Sequence, residues 1–177
     1  MKKILAICLV LIAILPASAE NKNVLRIGAG TTWVVDPDNK SVFGPLVSIE
    51  YQYNFSKYVG LYASASMARV NMTKFSNSDA YIVGAVGVMV TPLPNSFRFI
   101  KIGANFLYNN HLYSEGFDKP YDSYHESHVG FGFPIRAYLI DNLRFELSGG
   151  FEFITEFRKS GYVCLAYHMG LQFGVKF

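Results

Sequence analysis

The chain of 177 residues is poor in cysteine, in long apolar runs and in net charge, and each shortage excludes something. Only Cys8 and Cys164 are present. Cys8 falls in the leader discussed below, so a single cysteine remains and no intramolecular disulfide framework can form. After Leu15 no apolar stretch approaches the roughly 20 residues a transmembrane helix needs. With Lys2 and Lys3 removed from the 16 basic residues, 14 face 13 acidic ones, and the charge is close to zero. There is no basic stripe to grip a nucleic acid. Gly28-x-Gly30 sits within a strand pattern rather than at a strand-to-helix turn, so it is not a nucleotide-binding fingerprint.

The first residues read as an export signal. Met1-Lys2-Lys3 is a basic start, residues 4–15 are a short apolar run, and Pro16-Ala17-Ser18-Ala19 ends in a small-x-small cleavage pattern. Residues 1–19 are therefore expected to be a signal peptide that is removed. Cys8 lies inside the apolar run and not at its end, which argues against a lipoprotein. Residues 20–177 are the length of one domain.

What the chain has is alternation. Over residues 162–177 one row reads Val163, Leu165, Tyr167, Met169, Leu171, Phe173, Val175, Phe177, and the other Tyr162, Cys164, Ala166, His168, Gly170, Gln172, Gly174, Lys176. Period-two alternation is a strand with two unlike faces. Its length suits a tilted strand crossing a bilayer better than a strand of a soluble sheet. Seven more segments repeat the pattern, at about 24–35, 43–53, 58–70, 80–91, 97–108, 127–139 and 143–154. In the fourth, Val83 and Met89 interrupt the polar row. The connections alternate too. Residues 54–57, 92–96 and 140–142 are short, whereas 36–40, 71–79, 109–126 and 155–161 are longer or more polar. Short turns at the periplasmic rim and longer loops outside are the rule for membrane barrels, and eight strands put both termini at one rim.

The polar row decides which face is inside. A water-facing strand surface favours Lys, Glu and Thr and disfavours Gly. Here that row is dense in Gly, Ser and Ala, which suits the crowded lumen of an eight-stranded barrel. The apolar row carries Tyr, Trp and Phe near strand ends, as an aromatic girdle requires. The expected fold is an all-β, eight-stranded antiparallel up-and-down transmembrane β-barrel. With its ending Leu171-Gln172-Phe173-Gly174-Val175-Lys176-Phe177, the chain resembles the small eight-stranded bacterial outer-membrane barrels, such as the OmpA transmembrane domain and OmpX. That resemblance implies an outer-membrane address, contact with outer-membrane lipids, and Phe173, Val175 and Phe177 as part of the signal read by the barrel-assembly machinery. It implies no catalytic motif.

Several residues are candidates for a site. The inward row collects Arg26, Glu50, Lys101, Arg136, Arg144, Glu146, Glu152, His168 and Lys176. Buried charges must pair or cost several kcal/mol each. Such a network is either a gate in a narrow pore or a packed polar plug, and the crowding of an eight-stranded lumen favours the plug. His125-x-Ser127 is one alternation apart, so a His could activate a Ser there. Barrel-fold lipid A deacylases carry a His-x-Ser-Asn motif with a later Glu, but His128 stands in place of the Asn. The nearest later carboxylates, Asp141 and Glu146, belong to the opposite rim. His125, Glu126 and His128 do not share a face as three metal ligands would need to. No cofactor motif is visible, and Cys164 reads as a small packing residue. The loop 109–126 carries Tyr113, Phe117, Tyr121 and Tyr124 among acidic residues, either as a contact surface for an extracellular partner or as a cap on the barrel mouth. The leading reading is a non-enzymatic outer-membrane barrel with surface loops. A lipid-modifying enzyme and a narrow channel are the alternatives.

Overall fold

The computed structural model describes residues 22–35, 41–70, 79–92, 99–114, 123–157 and 163–177. The expected signal peptide and most of the longer loops lie outside the described residues. Eight strands follow in chain order: β1 Asn23–Val35, β2 Ser41–Asn54, β3 Val59–Val70, β4 Asp79–Val90, β5 Ile100–Ser114, β6 Ser123–Asp141, β7 Phe145–Phe157 and β8 Val163–Lys176. Each pairs antiparallel with its sequence neighbours, and β1 pairs with β8, so the sheet is a closed up-and-down barrel without an edge. No described helix is long and apolar enough to cross a membrane.

The register fixes the barrel's dimensions. Partner residues lead from Leu25 through Tyr51, Ala63, Val86, Phe106, Phe131, Thr155 and Leu165 and return to β1 at Val35, ten positions along. With a rise of about 3.3 Å and a strand spacing of about 4.8 Å, that stagger tilts eight strands by about 41° and gives a backbone radius of about 8 Å. Side chains fill a cylinder that narrow. Twelve residues at this tilt climb about 30 Å, enough for the roughly 25 Å apolar band of a membrane barrel.

The alternation of the sequence becomes outside and inside. Ile27, Val47, Val86, Phe106, Phe133 and Leu171 stand exposed on the outer wall, Val86 to 64%. Arg26, Glu50, Tyr62, Met89, Leu107, Arg136 and Cys164 point inward and are buried. Aromatic side chains meet near both rims. Trp33 stacks on Phe43 at 5.1 Å and lies 5.5 Å from Tyr167, while Phe145 stacks on Phe173 at 5.8 Å at the rim that holds the termini. We call this the terminal rim; its connections span 55–58, 91–99 and 142–144. The opposite, loop rim joins the strands through 36–40, 71–78, 115–122 and 158–162.

Two expectations change here. The expected loop 109–126 is largely strand, because β5 and β6 stay paired from Asn109↔His128 to Ser114↔Ser123. At 19 residues β6 is the longest strand and would climb about 47 Å at this tilt, so its hairpin with β5 projects beyond the roughly 25 Å apolar band. Asn109 and His111 read as loop residues because they are polar, yet they are polar because they face the lumen. The expected turn 140–142 also moves, since β6 runs on to Asp141 with a bulge at Leu139, between the pairs Tyr138↔Ser148 and Ile140↔Leu147.

Closure demands small residues where backbones crowd. A Cβ on Gly30 would lie 2.0 Å from the Met169 carbonyl oxygen across the β1–β8 seam. The seam is tied at its terminal end by a reciprocal pair: Asn23 N donates to Phe177 O at 3.1 Å, and Phe177 N to Asn23 O at 3.0 Å. The three residues expected to carry the assembly signal, Phe173, Val175 and Phe177, lie on this final stretch.

Candidate functional site

The closed sheet encloses a lumen, and among the described residues its filling has three levels. In the terminal half Arg26, fully buried, is the hub. Its Nη1 donates to Glu50 at 2.6 Å and to Gln52 at 2.7 Å, its Nη2 to the Tyr138 hydroxyl at 3.2 Å, and its Nε to Glu146. Arg136 Nη2 donates to the other Glu50 oxygen at 2.6 Å. One carboxylate is thus shared by two guanidiniums, the charge-assisted geometry in which Arg outperforms Lys. Lys176 Nζ donates to Asp141 and stands 3.8 Å from Glu146. Lys101 is differently placed: its ammonium sits over the Tyr138 ring at 4.9 Å.

In the middle, Asn105 Nδ2 donates to the Tyr62 hydroxyl at 2.6 Å and to Glu152 at 2.5 Å. His168 Nδ1 lies 3.7 Å from Glu152. A small cavity of about 70 Å³ opens beside Ser48, Ser64, Ser66 and His168, room for one or two waters.

The loop half is not the polar plug the alternation suggests. Val34, Leu46, Val70, Val83, Leu107, Ile154, Cys164 and Ala166 form one buried apolar cluster. Set into it, Tyr81 donates to Glu156, and His111 Nε2 lies 3.0 Å from the second Glu156 oxygen. His128 packs edge-on against His111 at 5.2 Å. Cys164 is buried, its thiol donating to the Val35 carbonyl oxygen at 3.2 Å.

Of the nine charged or titratable residues read as the inward row, the barrel gathers Arg26, Glu50, Arg136, Glu146 and Lys176 into one contiguous network, with Lys101 beside it. Glu152 and His168 belong to the middle level. Arg144 does not enter the lumen. It is exposed in the turn between β6 and β7, because strand β7 begins at Phe145, two residues later than its alternation implies. Sequence reading missed His111, Glu156 and Tyr81. Carrying the inward parity of Lys101 and Gly103 onward to His111, and that of Glu152 onward to Glu156, would have found the first two.

Ser127, half of the possible nucleophile pair, is on the outer-facing parity, and its hydroxyl donates to Asn110 at 2.9 Å. The side chain of His125 lies outside the described residues, as do those of Tyr113, Phe117, Tyr121 and Tyr124. Among the described residues no three His, Cys, Asp or Glu side chains are arranged to hold a metal ion.

No protein-family model matches the sequence, and no curated protein sequence matches it. Solved structures do match in shape. Neisserial surface protein A superposes with a TM-score of 0.67 at 13% identity, covering 88% of this chain and 97% of its own. Ail, the attachment invasion locus protein of Yersinia pestis, gives 0.57 at 13%, covering 88% and 99%. The N-terminal barrel domain of Pseudomonas aeruginosa OprF gives 0.51 at 10%, covering 89% and 98%. This chain has the fold of the small eight-stranded outer-membrane β-barrels. For a barrel of this kind the exposed apolar wall is a lipid-facing surface, and the lumen is the protein's core.

Proposed function

We propose that the protein is an integral outer-membrane barrel that neither conducts nor catalyses, and that acts through what its loop rim presents. The observation that carries this reading is the filling of the lumen. An apolar cluster contributed by seven strands spans the loop half, and a paired ionic network spans the terminal half. Among the described residues the loop half is packed with buried side chains, apolar ones around the Tyr81–Glu156–His111 contacts, and this packing argues against the channel reading. The pattern of the first nineteen residues supports export through a cleaved signal peptide. With the termini on the periplasmic side, the projecting β5–β6 hairpin faces outward as the surface available to an extracellular partner. Ail is described as an attachment invasion locus protein; an interaction role of that general kind is the one this shape serves best. Contacts with outer-membrane lipids along the wall and with the barrel-assembly machinery through Phe173, Val175 and Phe177 belong to the same reading.

The test is fractionation with reconstitution. The protein should co-sediment with the outer membrane, migrate faster on gels without boiling, and leave a planar bilayer without discrete conductance steps. Recovery from the soluble periplasm would refute the address, and steady unitary currents would refute the closed lumen. Release of an acyl chain from lipid A that disappears with Ser127→Ala would establish the enzymatic alternative instead.

A further inference from the structure

Charge is unevenly spent along the lumen. In the terminal half and its mouth, the described cations are Arg26, Lys101, Arg136 and Lys176 inside, Lys22 and Lys57 at the opening, and Arg144 exposed in the turn between β6 and β7, seven in all. The side-chain carboxylates beside them are Glu50, Asp141 and Glu146, three in all. Glu50 is taken by two arginines, and Glu146 and Asp141 by Arg26 and Lys176. Lys101 has no carboxylate within 4 Å among the described residues. It is also the register partner of Arg136, so two like charges stand directly opposite each other on adjacent strands. Like charges so placed are destabilising, and Glu50 offsets only the Arg136 member of the pair.

No described residue fills the space above these cations. A cavity of about 850 Å³ opens at the terminal rim, with Gln52, Asn54, Lys57, Thr91, Lys101 and Asp141 on its walls. Its volume falls in the range of small-molecule sites, about 300–1,000 Å³. The wall is shaped: Gln52 Nε2 donates to Asn54 Oδ1 at 2.5 Å, and a Cβ on Gly60 would come within 2.7 Å of both side chains, so glycine keeps this wall in place. Lys57 and Lys101 rest on the rings of Tyr58 and Tyr138 at 5.1 and 4.9 Å, which leaves their ammonium hydrogens available. Lysine ammoniums on flexible stems are point charges that bind phosphate readily.

We infer that this vestibule is a binding site for an anion carrying two or more phosphate groups, held by Lys101 at its floor and Lys57 at its lip. The inference rests on the vestibule's own charge and volume and not on which compartment the rim faces. The phosphates could belong to a soluble compound or to lipid headgroups at the rim, and the two sources are separable by experiment.

The full-length mature barrel, refolded in an uncharged detergent, is titrated calorimetrically with pyrophosphate. Saturable one-to-one binding is expected. Lys101→Met and Lys57→Gln should each weaken it at least fivefold, whereas Arg69→Gln, exposed at the other end of the barrel, should leave it unchanged. Lys57 is an exposed turn residue, so its variant tests the site even if Lys101→Met folds poorly, as judged by heat-modifiable migration. Repeating the titration in bilayer discs identifies the source. Competition by discs containing cardiolipin, whose headgroup carries two phosphates, but not by phosphatidylcholine discs points to lipid headgroups, and equal binding in both points to a soluble phosphate compound. Absence of saturable binding in detergent, or binding that neither lysine substitution weakens, overturns the inference.

Discussion

Replacing Glu50 by Gln is the sharpest test of how the lumen is held together. The two Glu50 oxygens accept from Arg26 and Arg136 at 2.6 Å each, and all three side chains are at most 5% exposed. Glutamine keeps the shape and removes the charge. Arg136 then has no carboxylate partner among the described residues, and Arg26 keeps only Glu146. Removing one member of a buried pair costs about 3–5 kcal/mol, and here two pairs are broken at once, which places the loss at about 5 kcal/mol. Arg26→Met should cost less, about 3 kcal/mol, because Glu50 retains Arg136 and Glu146 retains Lys176 at 3.8 Å. The double variant Glu50→Gln/Arg136→Met restores local neutrality and should be more stable than Glu50→Gln alone, with a coupling of about 1–3 kcal/mol. The assay is reversible urea unfolding from lipid vesicles, followed by the fluorescence of Trp33, the sole tryptophan, on the outer wall against Phe43 and Tyr167. A loss under about 1 kcal/mol for Glu50→Gln, or a double variant as unstable as the sum of its parts, would refute the claim that charge compensation holds this half of the lumen.

Three further outcomes follow from the same structure. Gly30→Val should impair closure of the β1–β8 seam, because its Cβ would sit 2.0 Å from the Met169 carbonyl oxygen; the folded fraction by gel mobility should fall, at a cost of about 1–3 kcal/mol, and unchanged folding would contradict the close approach. Deleting Phe177 removes the reciprocal hydrogen bonds with Asn23, about 1–3 kcal/mol for two bonds, so the purified variant should still refold while its assembly in cells falls further; normal insertion at native expression would count against an assembly signal there. In a Cys164→Ala background, a cysteine at Ser114, the end of β5, should react on intact cells with an impermeant thiol reagent, and one at Asn142 on the terminal rim should react only after the outer membrane is breached; the reverse pattern inverts the orientation.

The architecture was readable because an eight-stranded membrane barrel writes each strand's two environments directly into alternate residues. Leu171 and Phe173 face outward and Gly170 and Gly174 inward in the sequence as in the barrel, and the eight strands follow that rule apart from the bulge at Leu139 in β6. Strand ends were less legible. Where a strand leaves the apolar band, its outward row no longer needs to be apolar, so the paired stretch from Asn109 to Ser114 carries the composition of a loop.

By itself, the sequence determined the strand count, the direction side chains face within the strand interiors, the up-and-down order and most of the charges destined for the interior. Each of these depends on residues near one another in the chain and on a period of two. Tertiary structure alone decided which charges meet. Arg26 reaches Glu146 across 120 positions and Arg136 reaches Glu50 across 86, and both contacts depend on the stagger of ten residues accumulated around the closed sheet. It alone decided that Arg144 stays outside, that Val34, Leu107 and Ile154 seal the loop half, and that Lys101 stands opposite Arg136 over an open vestibule. A change of register by two residues would keep every side chain on its face and every strand beside its neighbour, yet break these contacts. The inward row specifies what is buried; only the closure of the barrel specifies against what.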